Sequence, residues 1–429
     1  MKFCLKNLNG KYNIFLYIIL YINMNIISTR LIVENCLVNQ TGKYNLHAEF
    51  FKKYNTNIGE YYIGYSSRKL FDKNRIIGYD CLEDAFKLCN FEDLYIIFSS
   101  NVIKNSEFDH LKDEYDNFLK TKCNKILLMS SGCQTTKESG VVLNENIINL
   151  LNKFDIIVTR GDFTTKILYE NNIRTPKIYT LGCHTLFSSI INNNNTLPKL
   201  NILNYSDIKK LLVAPTCDLS LSSYTNQWSD CMDTYNILKY NFRNNSEINF
   251  KKTILITSEK MLYSMYLNKF NDLNYNNLFK NVGNIDDYLD KFKKIDYTKF
   301  DDYKRNKEHN ELFESVIDQN NNIILPSTFT EWDNILKSND FIISTRVHTS
   351  LKSISLNLPV ITLAHDSRVL ELCKKMCIPY IENLDSLENC VLSYNKQVEK
   401  FNDNIKKYYH DYLNFFIENK IPIKNLNNM

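Results

Sequence analysis

The segment Asn339-Asp340-Phe341-Ile342-Ile343-Ser344-Thr345-Arg346-Val347-His348-Thr349-Ser350-Leu351 changes character twice. An apolar run bounded by polar residues reads as a buried strand, and the pattern that follows reads as a helix starting near Thr349. A second such unit adjoins it. Asn357-Leu358-Pro359-Val360-Ile361-Thr362-Leu363-Ala364 reads as a strand, and His365-Asp366-Ser367-Arg368 opens a helix running through Met376. Strand, polar turn and helix in alternation are the signature of a parallel sheet wrapped by helices.

The same rhythm extends through the chain. In the first half, Asp93–Phe98, Lys125–Met129, Asp155–Thr159 and Lys177–Leu181 read as strands, with helices over Glu145–Lys153 and Phe163–Asn171. Asn192–Asn195 followed by Pro198 reads as a linker, after which Lys210–Pro215, Lys252–Thr257 and Asn321–Leu325 resume the strands. The charged stretch Asp286–Asn310 reads as a solvated insertion, and Glu388–Asn419 as a terminal helix. A length of 429 residues suits two domains rather than one core. The expected division is an α/β domain over 31–195, a linker over 196–208, an α/β domain over 209–385 and a helical segment over 386–429.

Residues 1–30 stand apart. Lys2, Lys6 and Lys11 precede the uncharged stretch Tyr12–Thr29, which Arg30 closes. Three readings stay open: a signal anchor touching a membrane through residues 12–29, an ordinary N-terminal helix, or a leader upstream of a start at Met24. The corresponding locations are membrane-anchored or cytoplasmic.

Composition excludes several function classes. A net charge of +4, from 52 basic and 48 acidic residues, comes without a basic track, so a nucleic-acid partner is not expected. The twelve Cys include no Cys-x-x-Cys, which reads as free thiols rather than a zinc site. Heavy use of Asn, Lys, Ile and Tyr reads as genomic base composition.

Ligands of open parallel sheets bind beyond the carboxyl ends of the strands. Arg346 and His348 leave such an end beside helix N–H groups that favour anions, with Thr349 in the same turn. An Arg fork suits carboxylate or phosphate oxygens, and His exchanges protons near neutral pH. The plainer alternative gives Arg346 an acidic neighbour and makes His348 a helix cap. Arg368 falls in the next helix's first turn, with Asp366 or Ser367 as N-cap. In the first half, Arg160-Gly161-Asp162 follows a strand and opens a helix, and Leu181-Gly182-Cys183-His184 follows another. A satisfied structural role competes with a binding role for His184.

These residues carry a resemblance to the polysaccharide pyruvyl transferases. That family's C-terminal segment runs strand, Arg-x-His, helix, Pro-Val strand and helix, after a helix with an early Trp. Here Thr330-Glu331-Trp332 leads into Arg346-Val347-His348 and then Pro359-Val360. Arg160 and Gly182-Cys183 are similar to the family's first-domain arginine and Gly-Cys turn. Three positions depart from the pattern: Asn357 stands where Gly is usual, His184 where Pro is common, and Arg368 where Lys is usual.

The resemblance implies two Rossmann-like domains facing a central cleft, a GT-B-like arrangement of mainly parallel sheets. It also implies transfer of pyruvate from phosphoenolpyruvate to hydroxyls of a sugar or glycan, forming a ketal. Arg160, Arg346, Arg368 and Thr349 would then bind the donor, and His348 with Arg346 would be catalytic, His348 as general acid. Asp162 and His184 would meet the acceptor. Phosphoenolpyruvate is a co-substrate there, and neither a metal nor an organic cofactor is implied.

Two rivals remain. A nucleotide-sugar glycosyltransferase of the same plan is disfavoured by the lack of any Gly-x-Gly and of any Gly after Gly283. A non-catalytic glycan-binding relative would keep the fold without turnover.

Overall fold

The computed structural model describes residues 24–28, 58–71, 75–78, 94–98, 103, 125–133, 141–214, 251–255, 322–324, 326, 329–364, 366–382 and 386–424. In the first domain these form strands β1 (Met24–Ser28), β2 (Arg75–Gly78), β3 (Leu94–Phe98), β4 (Lys125–Ser131), β5 (Ile156–Thr159) and β6 (Lys177–Thr180). Helices α1 (Ile58–Leu70), α2 (Glu145–Leu151), α3 (Asp162–Glu170) and α4 (His184–Asn192) accompany them. The strands pair in parallel in the order β2-β1-β3-β4-β5-β6.

The second domain contains β7 (Lys210–Ala214), β8 (Lys251–Leu255), β9 (Asn322–Ile324), β10 (Phe341–Ser344), β11 (Val360–Leu363) and β12 (Tyr380–Ile381). Its helices are α5 (Phe329–Lys337), α6 (Val347–Ser355) and α7 (Ser367–Met376), followed by α8 (Leu387–Glu418). Its sheet is also parallel, in the order β12-β11-β10-β7-β8-β9. Read from the β9 edge this is the 3-2-1-4-5-6 order of a Rossmann sheet, with its order reversing between β7 and β10. The chain thus has two Rossmann-like α/β domains in a GT-B-like arrangement.

Met24–Ser28 is a strand hydrogen-bonded on both edges, to β2 and to β3, so the first domain includes residues upstream of 31. Residues 12–23, and the expected insertion over 286–310, lie outside the described residues. No helix among the described residues is long and apolar enough to cross a membrane.

Helix α8 joins the domains. Its buried Val391, Tyr394, Val398, Phe401, Ile405, Tyr408, Tyr412 and Phe415 are spaced alternately three and four apart, a continuous apolar seam. At 1.5 Å per residue the helix is about 48 Å long, enough to pass over both sheets. Near its start Tyr394 meets Phe341 of β10 edge-on, with ring centres 5.7 Å apart. Near its end Tyr412 and Phe416 stack on Phe187 of α4, at 5.1 and 5.5 Å. The main core is accordingly one cluster containing residues of both domains and α8, while a smaller one fills the space between the first sheet and α2–α3.

The polar side of the seam holds backbone. Asn402 donates to Leu200 O (2.9 Å) and accepts from Leu200 N (2.9 Å), and Asn395 does the same for Leu203 (2.8 and 2.9 Å). Gln397 pairs likewise with Tyr380 of edge strand β12 (2.7 and 3.1 Å). A carboxamide offers one donor and one acceptor in the spacing of a peptide group, so each closes a ladder that the extended segment lacks. The linker is therefore fastened along α8.

Replacing Asn402 by Leu leaves the N–H and C=O of buried Leu200 without their partners. We expect a loss of about 1–3 kcal/mol per stranded group at most, offset where water reaches it. An unchanged urea midpoint for Asn402→Leu would contradict the fastening role.

Candidate active site

In open parallel sheets ligands bind beyond the strand ends where the order reverses, here β7 and β10, and Thr345 follows β10 at that place. Its N–H and Oγ1 both donate to Ala214 O, at 3.1 and 3.3 Å, extending the β7–β10 ladder by one step. Ser344 Oγ then accepts from Arg346 N (3.0 Å) and donates to Arg346 O (2.9 Å), which turns the chain into α6. Arg346 is the N-cap, so His348 and Thr349 lie in the first helical turn, beside amides without intrahelical partners. Thr349 Oγ1 is buried and has no hydrogen-bond partner among the described residues.

The first domain contributes Arg160. Strand β4 shifts register between Leu128 and Ser131, and Ser130 adopts φ 58°, a left-handed conformation uncommon for a residue with a side chain. That kink points Ser130 O at Arg160 Nε (2.9 Å) while Ser131 O accepts from Arg160 N (2.9 Å). The guanidinium is 4% exposed, and its Nη2 has no hydrogen-bond partner among the described residues. Burial and nearby Arg368 pull its pKa down, against Cys183 and Glu371, which raise it. A buried cation with an unmatched nitrogen is costly unless an anion completes it.

The two domains meet at this point. Cys183, N-cap of α4, brings its Sγ to 3.9 Å from His348 Nε2, and Tyr62 of α1 sets its ring edge-on to the imidazole at 6.5 Å. Gly182 adopts φ +90°, and a Cβ there would lie 2.7 Å from Met376 Cγ, so this turn requires glycine twice over. His348 is 9% exposed. Burial first, then the charges of Arg160, His184 and Arg346, hold its pKa well below 6.5. That lowering favours a neutral imidazole.

Arg160, Arg346, His348 and Thr349 thus form one region. The other expected residues differ. Arg368 turns its Nε and Nη2 onto Oδ2 of Asp366, whose Oδ1 caps Val369 N at 2.9 Å, so its fork is not offered to a donor. It remains within electrostatic reach of Arg160. Asp162 is exposed, on a groove of about 580 Å³ also lined by Lys166, Glu371, Lys374 and Lys407. Neither Arg160 nor His348 lines that groove, so Asp162 is not grouped with them.

His184 is engaged within the first domain. It is fully buried, 4.3 Å from the ring of Phe98, and both ring nitrogens are engaged. Ser67 Oγ donates to Ile63 O (2.8 Å), so at 3.0 Å from Nε2 it acts as acceptor and Nε2 carries the proton. Nδ1 then accepts from Ser130 Oγ at 2.9 Å, while His184 N donates to the same oxygen at 3.1 Å. Burial lowers its pKa to about 3. The ring braces the Ser130 kink that presents a carbonyl to Arg160.

Sequence reasoning did not single out Ser130, Tyr62 or Glu371. Glu371 of α7 is 5% exposed and accepts from Thr164 N (2.9 Å) and Thr164 Oγ1 (2.6 Å) in the first turn of α3. Burial raises its pKa to about 7, against the lowering effect of those bonds and of Arg160. An acidic residue in an amphipathic helix gives no sign in sequence that it will cap a helix of the other domain.

A family model for polysaccharide pyruvyl transferase matches residues 39–367, and the chain belongs to that family. No curated protein matches the sequence. Among solved structures the chain is similar to UDP-GlcNAc 2-epimerase from Neisseria meningitidis bound to UDP-GlcNAc, at 10% identity over 91% of this chain and 99% of that one, with a TM-score of 0.42. It is also similar to an alpha,alpha-trehalose-phosphate synthase from Burkholderia vietnamiensis, at 7% identity, 92% and 99% coverage and a TM-score of 0.43.

The state of His184 sets a pH dependence. Its folded pKa of about 3 lies below the unfolded value near 6.5, so within that window only the unfolded chain holds the proton. Its contribution to stability is complete above about pH 6.5 and declines as pH falls toward 3. We expect His184→Gln to lower the urea midpoint at pH 7.5 and to flatten its decline between pH 7 and 5. His348 is common to both proteins, so equal slopes would contradict a buried neutral His184.

Proposed function

We propose that the chain transfers the pyruvyl group of phosphoenolpyruvate to two hydroxyls of a glycan acceptor, forming a ketal at the turn that bears Arg346 and His348. The observation that carries this reading is the buried, incompletely bonded guanidinium of Arg160, within electrostatic reach of His348 and hence of the α6 turn. The donor offers a carboxylate and a phosphate, the partners that guanidinium forks and helix N-termini favour. Arg160 and Arg346 bind these anionic groups, and Thr349 Oγ1 donates to one of them. Arg368 acts through charge alone.

A neutral His348 enters as a base. It takes the proton of the first acceptor hydroxyl as that oxygen bonds to C2 of the donor, and passes the proton to the methylene carbon, which becomes methyl. The C2–O bond to phosphate then breaks, with the leaving oxygens stabilised by the arginines. The second hydroxyl adds to C2, and its proton leaves with the phosphate. Two hydroxyl protons thus end on carbon and phosphate, and no outside acid is consumed.

Phosphate release from phosphoenolpyruvate, followed across galactosides, mannosides and N-acetylhexosamines, tests the reading. His348→Gln should lower kcat by roughly 10²-fold or more while still binding the donor. Arg160→Gln should raise KM for phosphoenolpyruvate. Near-normal kcat in His348→Gln would remove the proton shuttle. Nucleotide release from a UDP-sugar, without phosphate release from phosphoenolpyruvate, would replace the whole reading with glycosyl transfer.

A further inference from the structure

The contact between α3 and α7 is closer than packing alone requires. Gly161 is extended, with φ −168°, a conformation open to any residue, yet a Cβ there would lie 2.7 Å from Glu371 Cβ and 2.9 Å from Glu371 O. Glycine at 161 is therefore a demand of the opposite domain, not of the local backbone. Across this contact the Glu371 carboxylate takes both Thr164 N and Thr164 Oγ1, and Thr164 Oγ1 in turn accepts from Cys133 N at 2.8 Å. One side chain of the second domain thus ties the first turn of α3 to the end of β4. The residue entering that turn is Arg160.

We propose that Glu371 is the positioning residue for Arg160: reaching from the second domain, it clasps the first turn of α3 and so fixes the Arg160 turn when the domains close. The consequence for the donor rests on the reading of Arg160 given above, whereas the clasp itself does not.

The charges around Glu371 set the pH behaviour. Arg160 enters from the turn before α3, Cys133 from the end of β4, and Asp366 and Arg368 from the start of its own helix. On the groove side lie Asp162 and Lys166 of α3, Lys374 and Lys375 of α7, and Lys407 and Asp411 of α8. Burial outweighs the bonds and raises Glu371 from 4.5 to about 7. Between those values the closed form binds a proton that a solvated Glu371 would release. Closure is therefore favoured on the acid side and weakens as pH rises through about 7.

Hydrogen exchange at the first-turn amides of α3, with phosphoenolpyruvate binding measured without acceptor, tests the proposal. Glu371→Ala should speed exchange at Thr164 by roughly tenfold and weaken binding by a similar factor, the scale of a lost helix cap. Glu371→Gln should restore both, since its carbonyl accepts from Thr164 N and its NH₂ donates to Thr164 Oγ1. It should also remove the part of the pH dependence centred near 7. Gly161→Ala, which leaves Glu371 intact, should mimic Glu371→Ala by forcing the contact apart. Unchanged exchange in Glu371→Ala would overturn the clasp. Faster exchange with unchanged binding would overturn the link to Arg160, whereas a wild type that does not bind phosphoenolpyruvate would overturn the donor reading and leave the clasp to be decided by exchange.

Discussion

The apolar seam of α8 is the constraint on which the site depends, because it acts on both domains at once. Tyr394 packs on β10 and the linker, while Tyr408 and Tyr412 reach the loop before α4. Those last two hydroxyls do more than fill space. Tyr408 donates to Cys183 O at 2.6 Å and Tyr412 to Gly182 O at 2.9 Å, so the loop facing His348 is held by hydroxyls of a helix rooted in the second domain. Burial keeps both phenols protonated, which makes them dependable donors. The seam thus adds to the direct contacts between the domains, Glu371 with Thr164 and Tyr62 with His348, in keeping Cys183 near His348.

A shortage of glycine shapes much of the rest. With only ten glycines in 429 residues, left-handed turns fall largely to other residues: Asn172, Asn194, Asn195 and Asn357 all have positive φ. Asparagine tolerates that region best among residues with a side chain. Asn357 shows why it can replace the family's glycine. It closes α6 at φ 59°, with Leu358 N reaching back to Ser353 O, and its Oδ1 accepts from Lys199 N at 2.8 Å. The other departures have similar explanations. His184 occupies the first position of α4, where proline is common, and uses the N–H that proline lacks to bond Ser130. Arg368 closes a fork on its own N-cap aspartate, which a lysine could not match.

The sequence made the repeating strand–turn–helix units legible because each is short, apolar and bounded by polar residues, as at Phe341–Ser344 and Val360–Leu363. Strand ends identified Arg160, Arg346 and His348 for the same reason. Weakly patterned strands escaped. Met24–Ser28 was hidden inside a longer apolar stretch, and Arg75–Gly78 and Tyr380–Ile381 are too short to show a period. Long-range partners escaped as well. Nothing local to His184 announces Ser67 and Ser130, and nothing local to Arg368 distinguishes a free fork from one spent on Asp366. Overuse of asparagine, read as base composition, proved to carry backbone-pairing roles at Asn395 and Asn402.

Electrostatics ties these features together. Arg160 and Arg346 both press His348 toward neutrality, and Arg160 does the same to His184. His184 is kept neutral by burial first, with both ring nitrogens engaged by serine hydroxyls. His348 meets Cys183 and Tyr62 across the domain boundary and is kept neutral by burial first, then by the neighbouring charges. On the proposed reading the donor supplies an anion, and Glu371, poised near neutrality at the edge of the same cluster, adjusts the potential that the donor meets. Burial thus keeps both imidazoles neutral, the one beneath with both ring nitrogens engaged and the one nearest the proposed chemistry beside two arginines.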